Sequence, residues 1–322
     1  MSERSVKIIY IVTAITLFAL MLVGTFYDFR ISEILSAADG KEYICDNAFA
    51  RFFEVVGSGP LYLTTGFGVA FIAVKITEFK KSVLSALLFA LCVAACIFAY
   101  TMLFKESSKY IAEHSGELES YNGGKGAVWG MSLITGAVCA AVSIIIAFVL
   151  PKSTRSGLFV FGLTAVIAFA ISQGITQGIK PLFGRQRYRA IKFFEYRNLG
   201  QYVDYTPWYI LRGIKEIPED LVALGVGRDW YKSFPSGHSC SAAMSLCIIG
   251  LADMLNLRGK SYKPVKIVTS LIGVAITVTV AYSRILMGAH YLTDVTFGVG
   301  ITIISIIISE KIVKTLVKKI KI

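Results

Sequence analysis

Two histidines, a carboxylate and a knot of cations stand at spacings that could do chemistry. The first stretch is Lys180-Pro-Leu-Phe-Gly-Arg-Gln-Arg187, where Lys180, Arg185 and Arg187 crowd together with Arg189 just beyond. Taken alone it reads as a solvated basic helix end, since cations suit the C-terminal pole of a helix dipole. The second is Pro235-Ser236-Gly237-His238. A serine and a glycine at a helix start leave backbone N–H groups facing an anion, and Gly237 lets a ligand approach the main chain. Its plain alternative is an N-cap followed by a histidine at a membrane surface. The third is Ser283-Arg284, five residues, His290, three residues, Asp294. On a helix His290 and Asp294 share one face and can hydrogen-bond. An acid that holds one imidazole nitrogen fixes the tautomer and leaves the other nitrogen able to attack. The alternative there is an interfacial ion pair. Each plain reading is reasonable singly. A four-residue match such as Pro-Ser-Gly-His arises by chance in a chain this long only roughly once in several hundred, and three ordered motifs argue for one site.

In this combination the sequence resembles the type 2 phosphatidic acid phosphatase superfamily, integral membrane lipid phosphate phosphatases with a vanadium-haloperoxidase-like active site. The family signature is Lys-x6-Arg-Pro, then Pro-Ser-Gly-His, then Ser-Arg-x5-His-x3-Asp. The second and third elements match completely; the first matches at Lys180 and Arg187, with Tyr188 in place of the usual proline. That proline shapes the backbone and carries no chemistry, so an adjusted loop with retained activity is expected. The resemblance implies that His290 attacks phosphorus to form a phosphohistidine, that Asp294 orients and stabilises it, and that His238 protonates the leaving oxygen. Lys180, Arg187 and Arg284 would hold the phosphate oxygens, joined by Ser236 and the Gly237 N–H. The residue types suit this work, because arginine grips phosphate through a bidentate fork and lysine acts as a point charge. No metal and no cofactor is expected. The three histidines, His114, His238 and His290, show no metal-type spacing. His114 reads as exposed in an outer loop. Tyr282 and Arg185 read as neighbours of the site, with surface packing the favoured role for each.

These residues need elements that deliver them to one face, and composition says which kind. The chain has 322 residues, a net charge of +12, 55% hydrophobic and 17% charged residues, with mean hydropathy +0.65. Average soluble domains are about 45–50% apolar and about 25% charged. A soluble or disordered chain is therefore excluded, and nucleic acid is not the expected partner of the positive charge. Apolar runs predict an all-α polytopic membrane helix bundle of eight spans, at 7–27, 53–76, 82–104, 127–150, 157–179, 238–256, 265–283 and 291–310. The division expected is 1–81 as a two-helix N-terminal extension and 82–322 as the integral membrane core, with the motifs within 180–294. The six cysteines, Cys45, Cys92, Cys96, Cys139, Cys240 and Cys247, read as small hydrophobes.

Charge placement gives an expected orientation. Segments 77–81, 151–156, 257–264 and the tail beyond 310 are basic, whereas 28–52 holds three basic against five acidic residues and 105–126 three against four. The positive-inside rule then puts both termini in the cytoplasm and all three motifs on the outer face of what is read as a bacterial plasma membrane. Segment 180–237, also outside, breaks the pattern with ten basic and six acidic residues. A phosphate-binding pocket accounts for that surplus. Its aromatic residues fit either the headgroup layer or simple loop packing. The expected partners are the bilayer and a lipid phosphate of the undecaprenyl pyrophosphate, phosphatidylglycerophosphate or phosphatidic acid class. A lipid phosphotransferase with the same site and a non-catalytic anion transporter are the alternatives, and oligomeric state is not readable.

Overall fold

The computed structural model describes residues 3–79, 82–214, 216–255 and 257–320. Among them the only regular elements are helices: α1 Glu3–Leu35, α2 Ala48–Val56, α3 Gly59–Ile76, α4 Val83–Ser115, α5 Leu118–Gly123, α6 Lys125–Val149, α7 Lys152–Phe183, α8 Tyr188–Tyr196, α9 Glu219–Ala223, α10 Gly237–Ala243, α11 Leu251–Met254, α12 Tyr262–Leu286 and α13 Leu292–Ile320, with short 3-10 turns between some of them. Seven segments are long and apolar enough to cross a membrane: Ile8–Leu35, Ala48–Ile76, Val83–Ser115, Lys125–Val149, Lys152–Tyr196, Gly259–Leu286 and Leu292–Lys318. Their outward faces are apolar, with Phe18 70%, Phe26 73% and Val149 80% exposed. Water would not tolerate so many uncovered hydrophobic side chains in one molecule, whereas a bilayer is their natural solvent. The protein is a polytopic all-α membrane protein.

Two expected elements differ. The predicted span 238–256 is helical but not uniformly α: α10 passes into a 3-10 run, Met244–Gly250, and then α11. At about 2.0 Å rise per 3-10 residue this composite still reaches about 30 Å. The first helix runs on through Asp28 to Leu35, so part of the acidic segment 28–52 is helix rather than loop. Lys80, Lys81 and Lys321, which contribute to the expected orientation, lie outside the described residues.

The chain divides into two compact units. The first comprises Met1–Phe53, Gln173–Cys240 and Val280–Ile301. Its core includes Phe193, Phe194, Leu221, Trp230 and Tyr231, so most of the aromatic residues of segment 180–237 are packed inside; Tyr196 and Tyr209 remain exposed. The second comprises Glu54–Ser172, Ser241–Thr279 and Thr302–Ile322. In it α3, α4 and α6 pack on one another, with Tyr100 lying over Gly66 and the Gly68 and Gly162 backbones in direct contact. Small residues at such crossings let membrane helices approach closely. His114 lies in the last turn of α4 in this unit. It is not exposed as expected: only 9% of its side chain is accessible, with Nε2 3.2 Å from Glu54 Oε2. Among the described residues no cysteine forms a disulfide.

Candidate active site

The first motif sits where α7 stops. Gly184 takes a left-handed φ of +54°, which glycine adopts without a Cβ penalty. A side chain there would also meet Gly213 O at 2.1 Å. The last carbonyls of α7 are taken up across this turn, Leu182 O by Gly213 N–H at 2.8 Å and Phe183 O by Arg212 N–H at 3.2 Å. The turn delivers two arginines into the protein. Arg185, expected on the surface, is 1% exposed; it donates from Nη1 to Asp294 Oδ1 at 2.5 Å, from Nη2 to Asp28 Oδ2 at 2.9 Å and from Nε to Thr206 O at 2.8 Å. Arg187 is also buried and pairs through Nη2 with Asp229 Oδ2 at 2.8 Å.

The second motif opens α10. Ser236 is fully buried and acts as its N-cap, with Ser239 N–H donating to Ser236 Oγ at 3.3 Å. The Ser236 N–H donates to Asp294 O at 3.0 Å, which ties this motif to the third. Gly237 faces Lys180: a Cβ added there would lie 3.6 Å from Lys180 Nζ. The Lys180 ammonium thus lies close to the first turn of α10. His238 is half-buried on the first turn of α10.

The third motif spans the turn between α12 and α13. Arg284 O accepts from Ala289 N–H at 3.1 Å and His290 N–H at 3.3 Å. Gly288 turns the chain with φ +66°. Arg284 and His290 are 1% and 2% exposed. His290 Nδ1 lies 2.6 Å from the Ser233 carbonyl oxygen. A carbonyl can only accept, so Nδ1 carries the proton and Nε2 keeps its lone pair. The Asp294 carboxylate, expected to make this bond, is 3.8 Å away from Nδ1 at Oδ2. Oδ2 accepts instead from Ser233 Oγ at 2.5 Å and from Tyr291 N–H at 2.8 Å. Ser233 therefore bridges the acid and the imidazole. Burial pushes the His290 pKa down to about 3, with the Arg187 and Arg284 charges acting the same way against the pull of Asp294. The imidazole is neutral, as a nucleophile must be.

All eight residues singled out from the sequence fall in the first compact unit. Tyr282 is set apart from them, 44% exposed with its ring edge toward Phe49. Among the described residues no group of three His, Cys, Asp or Glu side chains is placed to hold a metal ion. Residues 161–318 match the family model of the PAP2 superfamily. This stretch is a PAP2 superfamily domain. The match supports a phosphatase-type activity on phosphate esters, in an integral membrane protein. No curated protein and no solved structure matches the chain.

Within the PAP2 domain Tyr188 explains its own departure from the signature. Arg187 is the extended N-cap of α8, with φ −74° and ψ 147°, so Tyr188 is the first helical residue. Proline is favoured at that position because no intrahelical bond needs its N–H; tyrosine is accepted there as well. Its buried ring meets Phe29 edge-on, with centroids 5.5 Å apart. Phe29 and Asp28 belong to α1, outside the stretch that matches PAP2. Sequence reading did not single out Asp28, Ser233, Thr293 or Thr206. No spacing signal marks them, and Asp28 falls just beyond the predicted first span, 7–27.

Proposed function

We propose that this protein is a metal-independent membrane phosphatase for lipid phosphates or pyrophosphates. The observation that carries the reading is the His290 imidazole, bonded through Nδ1 to the Ser233 carbonyl at 2.6 Å and under the field of Arg187 and Arg284. Nε2 attacks phosphorus in line, and the bond from phosphorus to the leaving oxygen breaks. Protonated His238 gives that oxygen its proton. The imidazole gains positive charge as the N–P bond forms, and Asp294 stabilises it across 3.8 Å. Water then attacks phosphorus and passes its proton to His238. The N–P bond breaks, and phosphate leaves with both histidines restored. Lys180, Arg187, Arg284, Ser236 and the Gly237 N–H hold the equatorial oxygens, where preorganised positive charge supplies much of the rate.

A lipid substrate follows from where such a domain works. A bundle of apolar helices keeps an acyl or prenyl chain in the bilayer while the headgroup meets the cations. The charge distribution of the loops favours both termini in the cytoplasm and the site on the outer face of a bacterial plasma membrane. The test is phosphate release by the detergent-purified full chain, without added metal, from phosphatidic acid, phosphatidylglycerophosphate, a prenyl pyrophosphate and a soluble ester. Release from at least one lipid is expected, with His290→Ala slower by about 10³-fold or more. Equal rates for wild type and His290→Ala would overturn the reading.

A further inference from the structure

The first helix brings a charge into the site that the family signature does not contain. Asp28 is 2% exposed and lies on α1, outside the PAP2 match. Its Oδ1 accepts from Thr293 N–H at 3.0 Å. Its Oδ2 accepts from Arg185 Nη2 at 2.9 Å and from the Thr293 hydroxyl. On its other side Arg185 donates from Nη1 to Asp294 Oδ1 at 2.5 Å and to Thr293 Oγ1 at 2.9 Å. The guanidinium is also stacked against Tyr291, 4.1 Å from the ring centroid. One buried arginine is thus shared by two buried carboxylates.

The sharing has an electrostatic consequence. A lone Arg185–Asp294 pair would be neutral, and in a poorly polarisable interior Arg185 would cancel most of what Asp294 offers a positive imidazole. With both carboxylates ionised, the three groups carry one net negative charge. Asp294 is the member of that cluster nearest His290, at 3.8 Å. Asp28 also fixes the first turn of α13 through the N–H and the hydroxyl of Thr293, which adjoins Asp294.

We propose that Asp28 is a positioning residue of the phosphoryl-transfer site: by sharing Arg185 it leaves Asp294 with negative charge to offer His290. The proposal rests on the reading of His290 as nucleophile. It makes α1 part of the working site.

The test uses the purified full chain in detergent with phosphatidic acid micelles, or whichever lipid phosphate the wild type hydrolyses. Asp28→Asn keeps the shape and removes the charge. Its kcat should fall about 10- to 100-fold, the usual effect of removing a partner of a functional side chain. KM should stay within about twofold, because Asp28 does not touch substrate. Adding Arg185→Gln to Asp28→Asn returns the cluster to one net negative charge, and kcat should rise above that of Asp28→Asn alone. A purely structural role predicts further loss instead. Unchanged kcat in Asp28→Asn, or further loss in the double variant, overturns the proposal while His290→Ala remains inactive. If Asp28→Asn does not fold, Asp28→Glu decides. With the charge kept, kcat within about tenfold of wild type supports the proposal, and a larger loss overturns it. Full activity in His290→Ala would overturn the nucleophile reading, and this inference with it.

Discussion

Ser233 makes the bond to His290 that the sequence reading expects of Asp294. Its carbonyl accepts the hydrogen bond from His290 Nδ1–H and its hydroxyl donates to Asp294, so the acid acts on the imidazole through space and through one intervening residue. His290 itself was legible because an imidazole four residues from an acid is a local pattern. Ser233 was not, since the bond that matters comes from its main chain, which every residue possesses. Arg185 was misread for a related reason: an arginine near a helix end is ordinarily solvated, and only two carboxylates from distant segments make its burial favourable. The neutrality of His290 has a thermodynamic signature. Its folded pKa of about 3 lies below the ordinary value of 6.5, so between those values the unfolded chain binds more protons. This contribution to stability is complete above pH 6.5 and is lost as pH falls toward 3. His290→Gln should therefore lose less thermal stability than wild type between pH 7 and pH 4, as read from unfolding midpoints in detergent at the two pH values.

At the scale of elements, the site depends on two close approaches that hold its segments together. Arg189 N–H donates to Gly288 O at 2.8 Å, and α13 presses against the start of α10 at Gly298. A Cβ at Gly298 would stand 2.6 Å from Ser236 O, a backbone atom that cannot swing away. Gly298→Ala should cost about 1–3 kcal/mol of stability by overpacking and should lower kcat by displacing Ser236 and His238. Thermal unfolding together with phosphate-release kinetics checks both. Hydropathy located seven long apolar helices because a bilayer demands about 20 apolar residues per crossing. It ended α1 too early, since a charged residue normally closes a span; Asp28 does not, because Arg185 and Thr293 satisfy it. It saw 238–256 as one uniform helix, whereas the central turns tighten into 3-10 geometry, a detail of backbone hydrogen bonding that apolar content does not encode.

For the whole molecule, the number of crossings decides whether the two termini share a side. Seven segments are long and apolar enough to cross; if the composite helix 237–254 crosses as well, the count is eight and the chain returns to the side it started from. Reporter fusions at residues 1 and 322 should therefore report the same compartment, the cytoplasm. Opposite compartments would mean that the composite helix does not cross. The class of molecule and the PAP2 resemblance are both legible along the chain. Apolar length, loop charge and three motifs are local properties, and each can be read without knowing what lies nearby. Tertiary structure alone decided which nitrogen of His290 carries the proton, why Tyr188 is tolerated, and that α1 reaches Arg185 through Asp28. Those outcomes depend on groups separated by 157 residues, as Asp28 and Arg185 are. Whether a buried charge is solvated, paired or shared is set by its neighbours in space, and no spacing along the chain records them.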